Sequence, residues 1–345
     1  MSNNTRSLQQ WLESIWYDPK KANSFGRKLL MPLSYLYSSV NIIQRKIQTK
    51  KQAKIACPVI VVGNITVGGT GKTPLTMHIV KLLQQAGYSP AIITRGYGGK
   101  ATTWPQAVTT KSNPDLVGDE AVLMASSTGV PVYAGANRLA SIEALLNSHD
   151  CDVIVSDDGM QHYALARDIQ IAVIDGKRQL GNGYCLPAGP LREKKERLDS
   201  CDLIVVNGET DIANNEDYLK DSYEMAFSGQ TIINLSTLET KLLSDFNDQT
   251  VQALTGIGNP QRFYSGLKVA GLNVIENSFP DHYAFQKSDL NFDEASIVIM
   301  TEKDAVKCKA LIGDAKQYWC LPVTATLSNE FNIALLTKLK TVKSS

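Results

Sequence analysis

The segment Val61–Thr76, VVGNITVGGTGKTPLT, joins an apolar run to a helical pattern through a glycine-rich loop. The β-branched run Pro58–Val62 predicts a buried strand, and apolar residues recur at helical spacing from Pro74 to a stop at Gly87. A strand, a glycine loop and a helix in this order are typical of a P-loop, which binds phosphate. The segment therefore predicts an α/β fold that begins with a phosphate-binding loop.

The loop matches the P-loop pattern only in part. Gly71-Lys72-Thr73 fits the end of the pattern, whereas Thr66 occupies the position of its first glycine. In such a loop the backbone N–H groups and the helix N-terminus bind phosphate, Lys72 reaches the outer phosphates and Thr73 binds Mg²⁺. The predicted phosphate site comprises Thr66, Val67, Gly68, Gly69, Thr70, Gly71, Lys72 and Thr73. An ordinary glycine turn before a helix is the alternative interpretation.

The composition indicates a globular protein rather than a disordered one. The chain has 345 residues, of which 43% are hydrophobic, and this length predicts two domains. Its six cysteines include no C-x-x-C pair, and its four histidines form no cluster with zinc spacing. This pattern predicts reduced thiols in a cytoplasm and no structural metal.

The first 54 residues carry an excess of positive charge. They hold ten Lys and Arg residues against two acidic ones, a net charge of +8, which leaves −7 for residues 55–345. Aromatic and aliphatic residues are interleaved with these cations, as in a helix that lies in a membrane interface. Two alternatives are a helix that packs its apolar face on the core and a basic arm that binds nucleic acid. No apolar run approaches the roughly 20 residues needed to span a bilayer, Pro32 interrupts the best candidate, and we find no signal-peptide cleavage site.

Beyond residue 58, short apolar strands alternate with helical segments. The predicted strands are Pro58–Val62, Ala91–Thr94, Val130–Ala134, Asp152–Ser156, Gln170–Ile174 and Asp202–Val206. The predicted helices are Pro74–Gln85, Asp119–Ser126 and Arg138–Asn147. Continuous apolar strands separated by helices predict an α/β fold with a mostly parallel, P-loop NTPase-like sheet and helices on both faces.

The composition of the sequence changes after Asn207, which predicts a second, smaller α/β domain. An acidic, polar stretch is followed by new apolar strands at Thr231–Leu235, Val251–Leu254, Asn273–Glu276 and Ser296–Met300. We expect a membrane-associating segment at 1–57, a P-loop core at 58–207 and a smaller domain at 208–318 that closes the cleft. Tyr318–Leu327 is predicted as one more strand, and residues 319–345 are expected to complete the core.

Polar residues follow several predicted strands, at the sheet edge where α/β proteins bind ligands. Asp157 and Asp158 follow a buried-looking strand beside the P-loop, where groups that hold Mg²⁺ usually stand. Arg95 ends another strand in the sequence TRGYGG, in which a guanidinium binds phosphate and the glycines permit a close approach. For both positions the alternative is a solvated surface turn.

Four further segments carry candidate residues. Asp119 and Glu120 open a predicted helix, where carboxylates favour the positive helix end even without a function. SFPDHYAF contains an Asp-His pair ending at His282, and such a lone pair is more often structural than catalytic. LPAGPLREKKERL leads a Pro-Gly loop into Arg192. The stretch Thr301–Asp304, TEKD, is similar to the guanine-reading motif of GTPases, but its lysine is one place late, so we discount a GTPase.

These motifs occur together in one family. GNITVGGTGKTP, TRGYGG, GDE, SDDGMQH, LPAGPLRE, FPDHYAF and TEKDAVK stand in the order found in the tetraacyldisaccharide 4'-kinases of the lipid A pathway, which the chain resembles over residues 15–310. The N-terminal RKLLMPLSYLY is similar to the membrane-associating region of that family. The loop of that family typically lacks the first glycine, so Thr66 is no departure from it. Residues 209–250 match no motif.

The resemblance implies an activity and a place of action. It implies transfer of the γ-phosphoryl group of ATP to the 4'-hydroxyl of a tetraacylated glucosamine disaccharide 1-phosphate, giving lipid IVA. Because an acylated disaccharide resides in a bilayer, we expect the chain at the cytoplasmic face of the inner membrane of a Gram-negative bacterium, as a peripheral or monotopic protein. Its expected partners are the lipid substrate and the inner-leaflet surface, with no nucleic acid and no obligate protein partner.

The resemblance also implies roles for individual residues. The implied ATP site is the loop that ends at Lys72 and Thr73, and the implied Mg²⁺ ligands are Thr73, Asp157 and Asp158. The implied catalytic residues are Lys72, Asp119 and His282, of which the last two take the proton from the sugar hydroxyl. The residues expected to bind substrate phosphate or the transferring oxygens are Arg95, Tyr97 and Arg192.

Two other functions are compatible with the loop alone. The first is a P-loop ATPase that acts as a switch for a protein partner at the membrane, although Val67 stands where its signature lysine is expected. The second is a non-catalytic nucleotide-binding adaptor, which would tolerate the loss of Asp119 and His282. Consumption of ATP that depends on an acylated disaccharide distinguishes the kinase from both.

Overall fold

Two β-sheets organise the chain into two domains. The computed structural model describes residues 3–18, 20, 24–53, 55–210 and 217–344. In these residues one sheet has nine strands and the other has six, and helices pack on both. The predicted α/β class is therefore confirmed.

The first domain contains most of the chain before residue 229 and the C-terminal helix. Its strands are β1 (Val59–Gly63), β2 (Pro90–Thr94), β3 (Gln106–Val108), β4 (Val132–Ala134), β5 (Val153–Ser156), β6 (Ile169–Asp175), β7 (Leu203–Asn207), β8 (Ser222–Ser228) and β15 (Thr324–Leu327). Its helices are α1 (Asn3–Tyr17), α2 (Phe25–Thr49), α3 (Lys72–Gln85), α4 (Pro114–Val117), α5 (Asp119–Thr128), α6 (Arg138–Leu146) and α9 (Asn329–Ser344).

The first sheet is parallel except at its two edges. Its strand order is β15-β8-β7-β6-β1-β5-β2-β4-β3, and only the edge strands β15 and β3 run antiparallel to their neighbours. Along β1, Ile60 and Val62 enter one apolar cluster while Val59 and Val61 enter another. Both faces of the strand are thus buried, which explains its continuous apolar sequence.

The second domain is built on the smaller sheet. Its elements are β9 (Thr231–Asn234), β10 (Thr240–Leu242), β11 (Thr250–Thr255), α7 (Pro260–Val269), β12 (Asn273–Ser278), β13 (Ile297–Thr301), α8 (Glu302–Ile312) and β14 (Tyr318–Leu321). The strand order is β10-β9-β14-β13-β11-β12, and β11 to β14 are parallel to one another. The two helices pack in separate apolar clusters, which contain Tyr264 of α7 and Cys308 of α8.

The predicted strand Tyr318–Leu327 is wrong, because it is two strands in different sheets. β14 pairs with β13 in the second sheet, whereas β15 pairs with β8 in the first. Pro322 stands between them, and a proline cannot donate a ladder hydrogen bond. Since β8 also belongs to the first sheet, the chain crosses between the sheets at 228–231 and 321–324 rather than at the predicted 207/208 and 318/319.

Helix α2 has one packed face and one exposed apolar face. It runs through Pro32 without ending. Ser34 and Ser38 are buried, and Ser34 Oγ donates a hydrogen bond to the carbonyl of Cys185 at 2.7 Å. Besides Phe25, Tyr35 and Ile42, its exposed apolar side chains are Leu29, Leu33, Leu36, Val40, Ile43 and Ile47. Their spacing of three or four residues places them along one stripe, opposite the buried serines.

The described part of the chain contains no helix that is both long enough and apolar enough to cross a membrane. Of the N-terminal cations counted in the sequence, Lys21 and Lys54 lie outside the described residues, as does the side chain of Arg6.

Candidate active site

The candidate residues lie at one edge of the first sheet. Gly63 ends β1, Thr94 ends β2 and Ser156 ends β5. These strands are parallel, so their carboxyl ends meet at the same edge, where α/β proteins bind ligands. The P-loop, the residues after β2 and the Asp157-Asp158 pair therefore share that edge.

The backbone N–H groups at the start of α3 are open to a ligand, whereas the N–H of Val67 in the loop donates to the carbonyl of Pro190 at 2.9 Å. Gly71 precedes α3 with a φ of 95°, which favours glycine, and no side chain caps the helix. A β-carbon at Gly71 would lie 2.5 Å from Nδ2 of Asn207, so the close packing also requires glycine. Because the first N–H groups of α3 have no capping side chain, they can bind the phosphates of a nucleotide.

Three side chains that the sequence analysis missed hold the loop. Asn207 donates from Nδ2 to the carbonyl of Thr70 at 2.9 Å, and Arg178 donates from Nη2 to the carbonyl of Gly69 at 2.8 Å. Arg262 of α7 donates to Oδ1 of Asn207 at 2.8 Å, so the second domain reaches the loop through this amide. No motif marks these residues, and only the position of Asn207 at the end of a predicted strand was a signal.

Asp157 lies behind the loop and is almost completely buried, with 1% of its surface exposed. Its carboxylate accepts hydrogen bonds from the hydroxyls of Thr73 at 3.3 Å and Thr76 at 2.9 Å. Burial, followed by the charges of Glu120 and Asp158, raises the pKa of Asp157 to about 7. A nearby cation favours the ionised carboxylate, so a bound divalent ion would lower this pKa again.

Asp158 faces the cations of the site. Its Oδ1 lies 3.5 Å from Nζ of Lys72 and 3.8 Å from Nη1 of Arg192. Burial raises the pKa of Asp158, but Lys72, Arg192 and Arg138 lower it more, so the net pKa is below the ordinary value. Arg138, another residue that the sequence analysis missed, is buried and donates to the backbone carbonyls of Asp157 and Asp158 at 3.4 Å.

The oxygen atoms of Thr73, Asp157 and Asp158 suit Mg²⁺, which prefers hard oxygen ligands. Within the described residues, no cluster of three or more His, Cys, Asp or Glu side chains could hold a metal ion without further ligands. This is compatible with Mg²⁺, which is usually bound through one or two carboxylates together with substrate phosphates.

Asp119 and His282 form a hydrogen-bonded pair between the domains. Asp119 is the first residue of α5 and is buried, whereas His282 follows β12 in the second domain. Nδ1 of His282 lies 3.3 Å from Oδ2 of Asp119. Burial raises the pKa of Asp119, but the hydrogen bond from His282 and the charges of Lys303 and Lys307 lower it more. For His282, burial lowers the pKa, and the contacts with Asp119 raise it above the ordinary value.

The TEKDAVK segment supplies two lysines to this pair from α8. Nζ of Lys303 lies 3.1 Å from Oε1 of Glu120, and Nζ of Lys307 lies 3.8 Å from Oδ2 of Asp119. Asp304 is fully buried and accepts a hydrogen bond from the Thr301 hydroxyl, so it fixes the start of the helix. In the sequence this segment is similar to a guanine-reading motif and serves as one of the ordered family motifs, but neither similarity assigns a role to the two lysines.

The three predicted substrate-binding residues differ in their surroundings. The exposed Tyr97 ring lies 4.8 Å from the His282 ring, centroid to centroid. Arg192 donates to Oε1 of Gln161 at 3.3 Å and faces Asp158. Arg95 is exposed directly after β2. Burial and, to a smaller extent, the positive charge of Arg95 lower the pKa of Arg138 to about 10. The structure thus brings Tyr97 to the Asp119–His282 pair and Arg192 to the P-loop side.

Comparison with known proteins gives one family. The profile of the tetraacyldisaccharide-1-P 4'-kinases matches residues 26–340. The tetraacyldisaccharide 4'-kinase of Nitrosococcus oceani is 43% identical over 328 residues, covering 94% of this chain and 93% of that protein. The protein of the same name from Pseudoalteromonas atlantica is 44% identical over 317 residues, covering 91% of this chain and 100% of that protein.

A solved structure agrees with these sequence relatives. The LpxK protein of Aquifex aeolicus, crystallised in complex with ATP, superposes with a TM-score of 0.76 at 29% identity and covers 91% of this chain and 99% of its own. The resemblance inferred from the ordered motifs is therefore confirmed, and the chain belongs to the tetraacyldisaccharide 4'-kinase family.

Proposed function

We propose that this protein transfers the γ-phosphoryl group of ATP to the 4'-hydroxyl of a tetraacylated disaccharide 1-phosphate, which gives lipid IVA in lipid A biosynthesis. Family membership supports this reaction. The observation that carries the assignment of the site is the Asp119–His282 pair beside an open P-loop. Glu120, the neighbour of Asp119, lies close enough to Asp157 to raise its pKa, which links the pair to the metal side of the site.

The nucleotide occupies the P-loop in this scheme. Backbone N–H groups from Gly68 to Thr73 and the N-terminus of α3 bind the phosphates, and Lys72 neutralises charge on the outer ones. Thr73, Asp157 and Asp158 would hold Mg²⁺, which offsets the charge that develops on the phosphate oxygens. Phosphoryl transfer requires little covalent help, so the main task of these side chains is to position the reactants in line.

His282 takes the proton of the acceptor hydroxyl on Nε2. It is the more exposed member of the pair, with 23% of its side chain accessible against 6% for Asp119. Asp119 accepts the hydrogen bond from Nδ1 and stabilises the imidazolium that forms. As the acceptor oxygen bonds to the γ-phosphorus, the bond from that phosphorus to the bridging oxygen breaks, and its electron pair leaves with ADP. Arg95, Tyr97 and Arg192 bind the acceptor or the transferring oxygens.

Contacts between the domains support closure of the site around both substrates. Arg262 and Lys303 of the second domain already contact Asn207 and Glu120 of the first. Exclusion of water by closure would limit wasteful hydrolysis of ATP.

The exposed stripe of α2 is the proposed membrane contact. It runs from Leu29 to Ile47, with Lys46 in the same last turn of the helix, and its apolar side chains are exposed. An apolar stripe flanked by cations binds at the surface of an anionic bilayer. The chain would then act at the cytoplasmic face of the inner membrane, where a lipid acceptor is available.

Replacement of Leu29, Leu36 and Ile43 together by glutamine tests this contact. Each side chain is more than half exposed, so the fold should tolerate the change. A fully buried Leu or Ile contributes about 1.5–3 kcal/mol, so we expect most of the protein to move from the membrane to the soluble fraction in flotation with anionic vesicles.

A matched variant replaces Leu238, Val269 and Ile333 by glutamine. These side chains are equally apolar and exposed but lie outside α2, so this variant should remain on the vesicles. Equal partitioning of the two variants would contradict the proposed contact.

The reaction is tested by the dependence of ATP consumption on the acceptor. With labelled ATP and tetraacyldisaccharide 1-phosphate in mixed micelles, we expect label in a lipid product and little hydrolysis without acceptor. Steady hydrolysis of ATP at a rate that does not depend on the acceptor would favour the ATPase alternative. The absence of any turnover would favour the nucleotide-binding adaptor.

A further inference from the structure

Both ring nitrogens of His282 contact charged side chains of opposite sign. Nδ1 lies 3.3 Å from Oδ2 of Asp119, and Nε2 lies 3.2 Å from Nζ of Lys303 and, beyond hydrogen-bond distance, 3.8 Å from Oδ1 of Asp281. The same Nζ lies 3.1 Å from Oε1 of Glu120 and 3.3 Å from Oδ1 of Asp281. One ammonium group is therefore shared between the imidazole and two carboxylates.

This arrangement determines where the imidazole carries its proton. An ammonium group has three donors and no acceptor, so Nε2 must accept the hydrogen bond from Lys303. A neutral imidazole has one donor and one acceptor, so Nδ1 then carries the proton and donates to Asp119. Burial lowers the pKa of Lys303, but Glu120, Asp119 and Asp281 raise it more, so Lys303 stays charged.

The imidazole is held more firmly than the ammonium group. His282 has a φ of 57°, which non-glycine residues rarely adopt, and its backbone N–H bonds the Gly256 carbonyl at 3.2 Å and Oδ1 of Asp281 at 3.0 Å. The ring is further flanked by Tyr97. Lys303 can leave Nε2 by rotation of a flexible side chain and still keep two carboxylate partners.

We propose that Lys303 is a positioning residue for the phosphoryl transfer. In the acceptor-free enzyme its ammonium group donates a hydrogen bond to the Nε2 lone pair of His282. This contact keeps the ring in the Nδ1-protonated tautomer, which donates to Asp119. When the acceptor hydroxyl arrives, Lys303 moves fully onto Glu120 and Asp281, and the hydroxyl takes its place at Nε2. This inference rests on the proposed role of His282 as the base.

The charges around His282 give the sign of the expected effect. The groups that surround the ring are Asp119 and Glu120 on α5, Lys303 and Lys307 on α8, Asp281 on the same loop, and Tyr97 after β2. Burial lowers the pKa of His282, Asp119 and Asp281 raise it, and Lys303 lowers it. Removal of the Lys303 charge leaves burial as the remaining influence that lowers the pKa of His282, so this pKa should rise.

The first test is the pH profile of kcat/KM for the lipid acceptor in the Lys303→Met variant. A base works in its unprotonated form, and kcat/KM reports the pKa of the free enzyme. An increase of that pKa by about one unit lowers kcat/KM about tenfold at pH values on the acidic limb. At pH values well above the pKa, kcat/KM should not change. Lys303→Arg keeps a charged donor, so the acidic limb of its kcat/KM profile should match that of the wild type. The same is expected of Lys309→Met, because Lys309 lies on the exposed side of α8.

The second test observes the tautomer directly by ¹⁵N NMR of the imidazoles in the acceptor-free protein. The chain has only four histidines, so His282→Gln identifies the signal of interest. In the wild type we expect the neutral fraction of the ring to be protonated on Nδ1, and in Lys303→Met we expect a larger imidazolium fraction at the same neutral pH. This measurement does not depend on turnover, so it remains informative if the variant is inactive.

A neutral wild-type ring that is protonated on Nε2 instead of Nδ1 would overturn the proposal. So would a Lys303→Met profile that is lowered by the same factor at every pH, since that is the result of a purely structural role. Full activity of His282→Gln would instead refute His282 as the base, and it would do so whatever tautomer the NMR experiment shows.

Discussion

Replacement of His282 by alanine is expected to lower kcat by about 10²–10⁴-fold, the usual contribution of a general base. The KM for ATP should change little, because the ring contacts Asp119, Lys303 and Tyr97 rather than the P-loop. Asp119→Ala should have a similar effect on kcat, since it removes the acceptor of the Nδ1 hydrogen bond. Residues that act as a unit are not additive, so the double variant should lose little more than either single one.

The control for this series is His149→Ala. His149 is exposed after α6, and its ring contacts only Tyr133 among the aromatic side chains of the described residues. Steady-state kinetics over both substrates, together with thermal unfolding of each variant, separates catalysis from folding. A loss of ATP affinity as large as the loss of kcat in the His282 and Asp119 variants would contradict an acceptor-side role.

Local signals were sufficient to predict that the P-loop and the Asp157-Asp158 pair share one edge of the sheet. The P-loop lies between a strand and a helix that are adjacent in sequence, so Gly71, Lys72 and Thr73 could be recognised from one short segment. Asp157 and Asp158 follow a strand whose apolar sequence shows that it is buried. Parallel strands bring their carboxyl ends together, which allowed these groups to be assigned to one edge without knowledge of the strand order.

Contacts between distant segments could not be predicted from local pattern. Asp119 and His282 are 163 positions apart, and Lys303 and Glu120 are 183 apart. Composition alone leaves Asp119 as an ordinary acidic residue at a helix N-terminus. Only the family resemblance paired it with His282, and nothing in the sequence connected either residue with Lys303.

The predicted domain boundaries differ from the positions where the chain crosses between the two sheets, for a similar reason. β8 has the sequence SYEMAFS and only one of its seven residues is buried, so it lacks the apolar run that marked the other strands of the first sheet. β14 and β15 are separated by two residues, and periodicity does not show that the chain changes sheets between them. The first sheet recruits β15 as an antiparallel edge strand, whose pairing depends on β8.

Lys72→Ala is expected to impair the use of ATP directly. Lys72 begins α3 and lies 3.5 Å from Oδ1 of Asp158, and in the proposed scheme it neutralises the outer phosphates. The loss of one preorganised cationic contact to a transferring phosphoryl group costs about 10²–10³-fold in kcat. The KM for ATP should also rise, because the same ammonium group binds the phosphates before the reaction. The effect therefore appears in both constants, unlike that of His282→Ala.

Lys81→Ala is the matched control for Lys72→Ala. Lys81 lies on the same helix, but it is exposed and remote from the P-loop, so both constants should remain near the wild-type values. Lys72→Ala leaves Asp158 with Arg192 and Arg138 as the remaining cations that lower its pKa, so the carboxylate should stay ionised and able to hold Mg²⁺. The expected defect then concerns phosphate charge rather than metal binding, and an excess of Mg²⁺ should not restore activity. Unimpaired turnover in Lys72→Ala would remove Lys72 from the site, and full rescue by Mg²⁺ would assign the lysine to Asp158 instead of ATP.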